Sequence, residues 1–432
     1  MEKKILLIAY YWPPGGGIAV RRWLGMANAF SEMGMDVHVL TIDPESASYQ
    51  HMDPQLVDEV AEGVTVHHVK AFNPFKWVQM WMPKAVPGAG FSGEKSGGIL
   101  GRILAVLRSH IFIPDPRRTW VRGAVNKGCD LVDALGISTV VTTSPPQSVQ
   151  LIGRGIKRAR PSVQWLADFR DPWTDIFYYN RLGHSALSRR LDARLEKNVL
   201  TEADVVVTVS WGFRDLLTDK VAPGLHDKFH VVTNGMDFAP DAKDAALAAT
   251  VEGPFRIVYT GTMTSIYAPE PLFDAILELN GRGEGRAIQL DYYGGISSDY
   301  MEELTSKYDF IHFHGFVAQQ EIGQIQRGAD ALFLVSPDVK KARGIVPGKL
   351  FEYMGSMRPI VFLGHPHDDV SRILVEAEAG MCLPREDSKA VREGLLEVMN
   401  THPREGATRL EKLQPFIRKN QARRMLELLD NA

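Results

Sequence analysis

The chain of 432 residues is too long for a single hydrophobic core and long enough for two. Its 45% hydrophobic and 23% charged residues are an ordinary globular balance, and a formal charge of -3 argues against a dedicated nucleic-acid binder while leaving local patches open. Cys129 and Cys382 form neither a metal spacing nor a disulfide framework, which points to a reducing compartment, and no apolar run is long enough to cross a bilayer.

The start, Lys3–Trp12, which holds the first β-rich run Ile5–Tyr10, superficially resembles a signal peptide. It is short and runs into Pro13-Pro-Gly-Gly-Gly17 rather than a small-residue cleavage site, so it reads as a buried strand. Val20, Trp23, Leu24, Ala27 and Phe30 then recur at helical spacing. Glycines between a strand and a helix let backbone N–H groups approach a ligand, and the helix dipole adds positive potential. Arg21 or Arg22, one turn in, can face a cleft. A plain strand–helix turn would use glycine as well, and the loop is neither Gly-x-Gly-x-x-Gly nor a phosphate loop.

Val37–Thr41 and Val64–Val69 are the next strands. Residues 72–122 then break the alternation, with Phe72, Phe75, Trp77, Trp81 and Phe91 among Pro and Gly, followed by Arg117, Arg118 and Arg122. This is either a wedge for the acyl boundary of an anionic membrane or an inserted pair of core helices. Strands at Thr139–Thr143, Val163–Phe169 and Asp204–Val209 follow. Continuous apolar strands separated by helical patterns imply a parallel, doubly wound α/β sheet. Asp168, Arg170 and Asp171 end a central strand, where charge is costly unless paired or used. Either Arg170 and Asp171 touch an acceptor, or an Arg–Asp pair caps the strand.

Asn234-Gly235 marks a turn, so the first domain is expected to cover residues 1–236 and the second 237–432. The second half restarts with strands at Arg256–Thr260, Ile288–Tyr293, Phe310–His314, Ala331–Val335, Ile360–Leu363 and Met381–Leu383, and a helix at Pro271–Leu279. A last amphipathic helix, 410–429, could pack back across the domain junction. Between the fourth and fifth of these strands lies Ile345-Val-Pro-Gly-Lys-Leu-Phe-Glu-Tyr-Met-Gly-Ser-Met-Arg-Pro359. A helix there puts Lys349, Glu352 and Ser356 on one face and Leu350, Phe351 and Met354 on the other. A helix tip and a Lys suit phosphates, and a carboxylate suits ribose hydroxyls. Lys340, Lys341 and Arg343 either add cations for a diphosphate leaving group or form a solvated basic loop. Backbone at Val317 can grip a planar base. No Asp-x-Asp, His-Glu-x-x-His or Cys-x-x-Cys occurs, which disfavours a metal-dependent transferase.

Pro-Pro-Gly-Gly-Gly with Arg21–Arg22, Ala-Asp-Phe-Arg-Asp-Pro-Trp, Thr-Asn-Gly-Met-Asp and Pro-Gly-Lys-Leu-Phe-Glu-Tyr together resemble a bacterial GT-B glycosyltransferase of family 4, over essentially the whole chain. The resemblance implies two facing Rossmann-like domains and retaining, metal-independent transfer with no cofactor. The donor would be a nucleotide-sugar held mainly by the second domain, and the acceptor a lipid-linked or other cell-envelope or exopolysaccharide precursor. Carried over by resemblance, Gly15 to Gly17 lie beside the reaction centre, Glu352 on the ribose and Lys349 near the phosphates. Joined to the residue readings above, the expected catalytic set is Gly16, Gly17, Arg170 and Asp171, the donor set Gly261, Thr262, Val317, Lys340, Lys341, Arg343, Lys349 and Glu352, and the acceptor cleft Arg21, Arg22 and Asp168. A second glutamate that many members carry is Gly344 here, and the usual lysine after the first strand of the second domain is missing from Gly261-Thr-Met-Thr-Ser265. The implied location is cytoplasmic, peripheral on the inner face of the membrane, with no nucleic-acid partner. The alternatives are a sugar-nucleotide epimerase of the same fold and a catalytically silent membrane-associated partner. A dinucleotide oxidoreductase would need a Gly-x-Gly-x-x-Gly directly after a strand, and none of the expected strands is followed by one.

Overall fold

The Val- and Ile-rich runs form strands buried on both faces, which is why they read as continuous rather than alternating. In the computed structural model, which describes residues 3–49, 51–73, 112–237, 240, 253–283, 285–339, 341–400 and 406–431, the first strand, β1 (Lys4–Ile8), sends Leu6 and Ile8 into one core layer and Ile5 and Leu7 into the other. It pairs in parallel with β2 (Asp36–Ile42) and with β4 (Thr139–Ser144), Ile5 lying opposite Val37 and Thr139. With β3 (Val64–Val69), β5 (Gln164–Phe169), β6 (Val205–Thr208) and β7 (Phe229–Val231) the sheet order is β3-β2-β1-β4-β5-β6-β7, and every pairing is parallel.

A second parallel sheet is built from β8 (Phe255–Thr260), β9 (Ile288–Tyr293), β10 (Ile311–Gly315), β11 (Ala331–Val335), β12 (Ile360–Gly364) and β13 (Gly380–Pro384), in the order β10-β9-β8-β11-β12-β13. In both sheets the order reverses after the first strand, between β1 and β4 and between β8 and β11. Loops leaving the carboxyl ends of those strands diverge there, the place where open α/β sheets hold ligands.

The chain divides into one unit of Met1–Thr233 with Arg418–Ala432 and another of Asn234–Ile417. The range 237–432 therefore includes a helix, Arg418–Asp430, that belongs to the first unit. Its Ala422, Met425 and Leu429 share a core layer with Trp23, Ala27 and Phe30 of the helix Ile18–Glu32. The expected helix 410–429 is broken into Gly406–Leu413, a 3-10 turn Gln414–Phe416 and Arg418–Asp430. Pro415 has no N–H for an α-helical bond, and the Phe416 carbonyl accepts instead from Met236 N at 2.8 Å.

The expected strands all form. The three-residue β7 was not among the sequence expectations, being too short to show a pattern. Residues 74–111, most of the segment expected to be interfacial or inserted, lie outside the described residues, as does Lys340. The described end of that segment joins the first core: Trp120 is 1% exposed, and Arg117 lies 5.8 Å above the Tyr10 ring.

Candidate functional site

In the first unit, the loop after β1 folds back on the chain that follows β2. Gly15 N donates to the Trp12 carbonyl at 2.9 Å and Gly16 N to the His51 carbonyl at 3.0 Å. Two of the glycine N–H groups expected to meet a ligand are thus engaged by the protein itself, because the loop needs internal bonds to hold its turn. Gly17 differs. It is exposed and caps the helix Ile18–Glu32 at φ +99°, an angle that favours glycine, while a Cβ there would meet nothing within 4 Å.

Arg22 and Asp168, expected at the acceptor, are instead inside the core at 2% and 0% exposure. Arg22 donates to Asp168 Oδ1 at 3.1 Å and to the carbonyls of Val232 at 3.1 Å and Thr233 at 2.8 Å. Asp168 also accepts from Trp23 Nε1 at 2.9 Å and Thr143 Oγ1 at 2.8 Å. A carboxylate this deep must be neutralised and hydrogen-bonded, and the first helix supplies both. Arg21 faces outward, 3.9 Å from Asp53 and 3.7 Å from Glu59.

Arg170 and Asp171 follow β5. Arg170 donates to the carbonyls of Ser144 at 3.1 Å and Pro145 at 2.9 Å, tying the ends of β4 and β5 together. The half-buried Asp171 carboxyl accepts no hydrogen bond among the described residues. Burial pushes it above the usual carboxylate range, with the Arg170 charge opposing and Asp168 adding to the shift. Tyr178 is pushed up to about 12 by burial and then by Asp171, and Tyr11 is raised by burial against the pull of Arg117. The loop carrying Asp171 and Tyr178 is anchored by buried acids: Asp192 accepts from Trp173 and Tyr179, each at 2.7 Å, and Glu196 from Thr174 Oγ1 at 2.5 Å and Lys220 at 2.6 Å. An unpaired carboxyl with a raised pKa, held in a fixed loop at strand ends, is the pattern of a candidate functional site. The two tyrosines were missed in the sequence because an aromatic near a strand end reads as core.

In the second unit, Lys349 Nζ reaches the end of β8. It donates to Tyr259 Oη at 2.7 Å and lies 4.1 Å from that ring's centroid. Burial brings its pKa down to about 8, with Glu352 opposing. Gly261 holds φ +125°, and a Cβ there would lie 2.5 Å from Nζ, so the lysine occupies the space beside the glycine. Tyr259 Oη donates to the Thr262 carbonyl at 2.9 Å, and Tyr292 Oη to the carbonyls of Gly261 at 3.0 Å and Gly295 at 2.7 Å. Two stacked tyrosines therefore shape the loop that the lysine faces.

The helix itself runs Lys349–Gly355 with Gly348 at its cap. Leu350, Phe351 and Met354 are buried as expected and Glu352 is exposed, whereas Ser356 is buried and donates to the Tyr353 carbonyl at 2.7 Å. Thr262 is exposed and Val317 half-buried after β10. Lys341 is exposed at φ +66°, and Arg343 turns to the buried Asp369, 4.0 Å away. Arg385, which sequence reasoning missed, donates to the Ser336 carbonyl at 2.8 Å and sits 3.7 Å from Asp338. Tyr259 was missed too, since ninety positions separate it from its lysine.

Residues 16–235 match the glycosyl transferase 4-like domain family. The chain belongs to that family. Solved structures similar to this glycosyltransferase include the N-terminal domain of Candida albicans trehalose-6-phosphate phosphatase, at 13% identity and TM-score 0.63, covering 100% of this chain and 97% of that one. A trehalose-6-phosphate structure from E. coli bound with UDP-2-fluoro glucose has 12% identity and TM-score 0.59, covering 99% of each chain. The α,α-trehalose 6-phosphate synthase of Burkholderia multivorans has 11% identity and TM-score 0.59, covering 100% and 99%. At such identities the likeness is one of fold, and with the two parallel α/β sheets it makes the fold GT-B. No curated protein matches the sequence.

Proposed function

We propose that this glycosyltransferase is a bacterial enzyme that transfers a sugar, with retention and without a metal, from a nucleotide-sugar to a lipid-linked or other cell-envelope or exopolysaccharide precursor. It would work in the cytoplasm, peripheral on the inner face of the membrane. The observation that carries the donor assignment is the Lys349 ammonium packed against Gly261 at the strand end where the second sheet reverses. A cation there, beside a loop shaped by Tyr259 and Tyr292, suits a diphosphate, and exposed Glu352 one turn on suits ribose hydroxyls. Lys349 supplies the charge that family members take from a lysine in the loop after the first strand of the second domain. Lys340, Lys341 and Arg343 are then outlying cations for the leaving group, Thr262 lies on the phosphates, and Val317 backbone grips the base.

In the first unit, Asp171 and Arg170 orient the acceptor, with Gly16, Gly17 and Arg21 beside it. The acceptor oxygen bonds to the anomeric carbon on the face from which the diphosphate departs. The carbon–phosphate oxygen bond breaks, and the hydroxyl proton passes to a departing phosphate oxygen. The protein contributes positioning and charge stabilisation. The absence of Asp-x-Asp from the sequence supports transfer without a metal.

Purified Glu352→Ala is expected to fold and to lose donor-dependent transfer; full activity in that variant would reject the donor assignment. A thermal-shift screen of UDP-, GDP- and dTDP-sugars identifies the base.

A further inference from the structure

The helix Ala186–Glu202 turns its polarity inside out. Its carboxylates Asp192 and Glu196 are 1% and 0% exposed, bonded to Trp173, Tyr179, Thr174 and Lys220, while Leu187 and Leu191 are 77% and 44% exposed. From Arg181 to Lys197 every exposed side chain is cationic or apolar, and none is a carboxylate. Leu187 and Leu191 are four apart, as are Arg190 and Arg194, and each leucine precedes one of these arginines by three, so the four share one outward strip. The side chains of Arg189, Arg190 and Arg194 make no ion pair or hydrogen bond among the described residues.

Isolated exposed leucines are normal on a surface and need no explanation. A strip that alternates leucines with unneutralised arginines, on a stretch of helix whose two acids, Asp192 and Glu196, point inward, is different. Cations alone would suit any polyanion. The interleaved leucines add nothing toward a nucleic acid, but they are what the boundary between headgroups and acyl chains rewards. We propose that this face docks on an anionic lipid bilayer, the leucines entering the acyl boundary and the arginines meeting lipid phosphates. In sequence, the strip lies outside residues 72–122. The proposal deepens the peripheral-membrane part of the function above and rests on that part alone, since no residue of the donor or acceptor assignment lies in the strip.

The test is co-sedimentation of the full-length protein with vesicles of phosphatidylglycerol and phosphatidylcholine mixed equally, and with phosphatidylcholine alone. Binding to the mixed vesicles is expected, weakening as salt rises. Arg190→Gln with Arg194→Gln should lose about tenfold or more on mixed vesicles and little on neutral ones. Leu187→Gln with Leu191→Gln should weaken binding to both. All four side chains are exposed, so thermal midpoints and turnover of a water-soluble acceptor should stay at wild-type values. If wild type and both double variants bind mixed vesicles equally, this face is not the docking surface, while the peripheral-membrane reading survives. If the wild type binds no vesicle, both are overturned. If the variants abolish self-association instead of vesicle binding, the occupant is a second copy and the lipid proposal is rejected.

Discussion

Each unit brings a cation from a helix to the carboxyl end of its sheet, and the two are treated in opposite ways. Arg22 meets a carboxylate and two backbone carbonyls at 2% exposure, and its partner Asp168 has two further donors. Lys349 has a tyrosine hydroxyl and a ring face, with no carboxylate in ion-pair range among the described residues. The first pair is enclosed in the core and held by the protein's own groups, so it serves the fold. The second cation is desolvated and only partly compensated, which makes an incoming anion favourable. The residue types are alike; the number of protein partners separates scaffold from site.

The sharpest way to break this contrast is Asp168→Ala. It strands the buried Arg22 guanidinium together with Trp23 and Thr143, and a loss of about 3–5 kcal/mol is expected. Urea unfolding measures it; a loss within the range of surface substitutions would mean that the pair is not the keystone described.

Lys349→Met probes the other side, with an expected fall in turnover of about 10²–10³ and little loss of stability. The pH dependence follows from the folded-state pKa of about 8 against the ordinary 10.5. Between these values the unfolded chain holds more protons than the folded one, so wild-type stability should rise with pH across that window, and Lys349→Met should lack the rise. Donor affinity should move the other way, falling as pH passes 8, because an anion needs the ammonium form. Isothermal titration at several pH values distinguishes this from a lysine that only packs.

Much of this architecture was readable in advance. Strands such as Ala331–Val335 are buried on both faces, and their uninterrupted apolar runs follow directly from that burial. The Lys349–Glu352 helix face was legible because it is local, set by a period of three to four residues. What escaped depends on distant partners. Arg22 and Asp168 look like cleft residues until the sheet order brings β5 beside β4 and the first helix over both. Tyr259 gains its role only through a lysine ninety positions away. The break at Pro415 was present in the sequence, but the amphipathic pattern on either side masked it.

A smaller effect is expected from Gly261→Ala. The φ of +125° costs an alanine about 1–2 kcal/mol, and its Cβ would press on the Lys349 ammonium. The lysine tip can swing aside, so the donor KM should rise by more than turnover falls. A fall in turnover alone would argue that Lys349 is not held by the Gly261 surface.

Arg21→Ala is the mildest change and the most direct control on its neighbour. Arg21 is 42% exposed and its contacts to Asp53 and Glu59 are 3.9 and 3.7 Å, near the limit of an ion pair. Pairs of this kind contribute about 0–1 kcal/mol and are screened by salt. Stability should therefore shift by about 0.5 kcal/mol or less, while Arg22→Ala, one residue on, should approach the cost of Asp168→Ala. If Arg21 also meets the acceptor, its removal raises the acceptor KM at unchanged stability. Equal destabilisation by the two arginine variants would show that burial does not separate them, and the distinction between scaffold and site would fail at its simplest point.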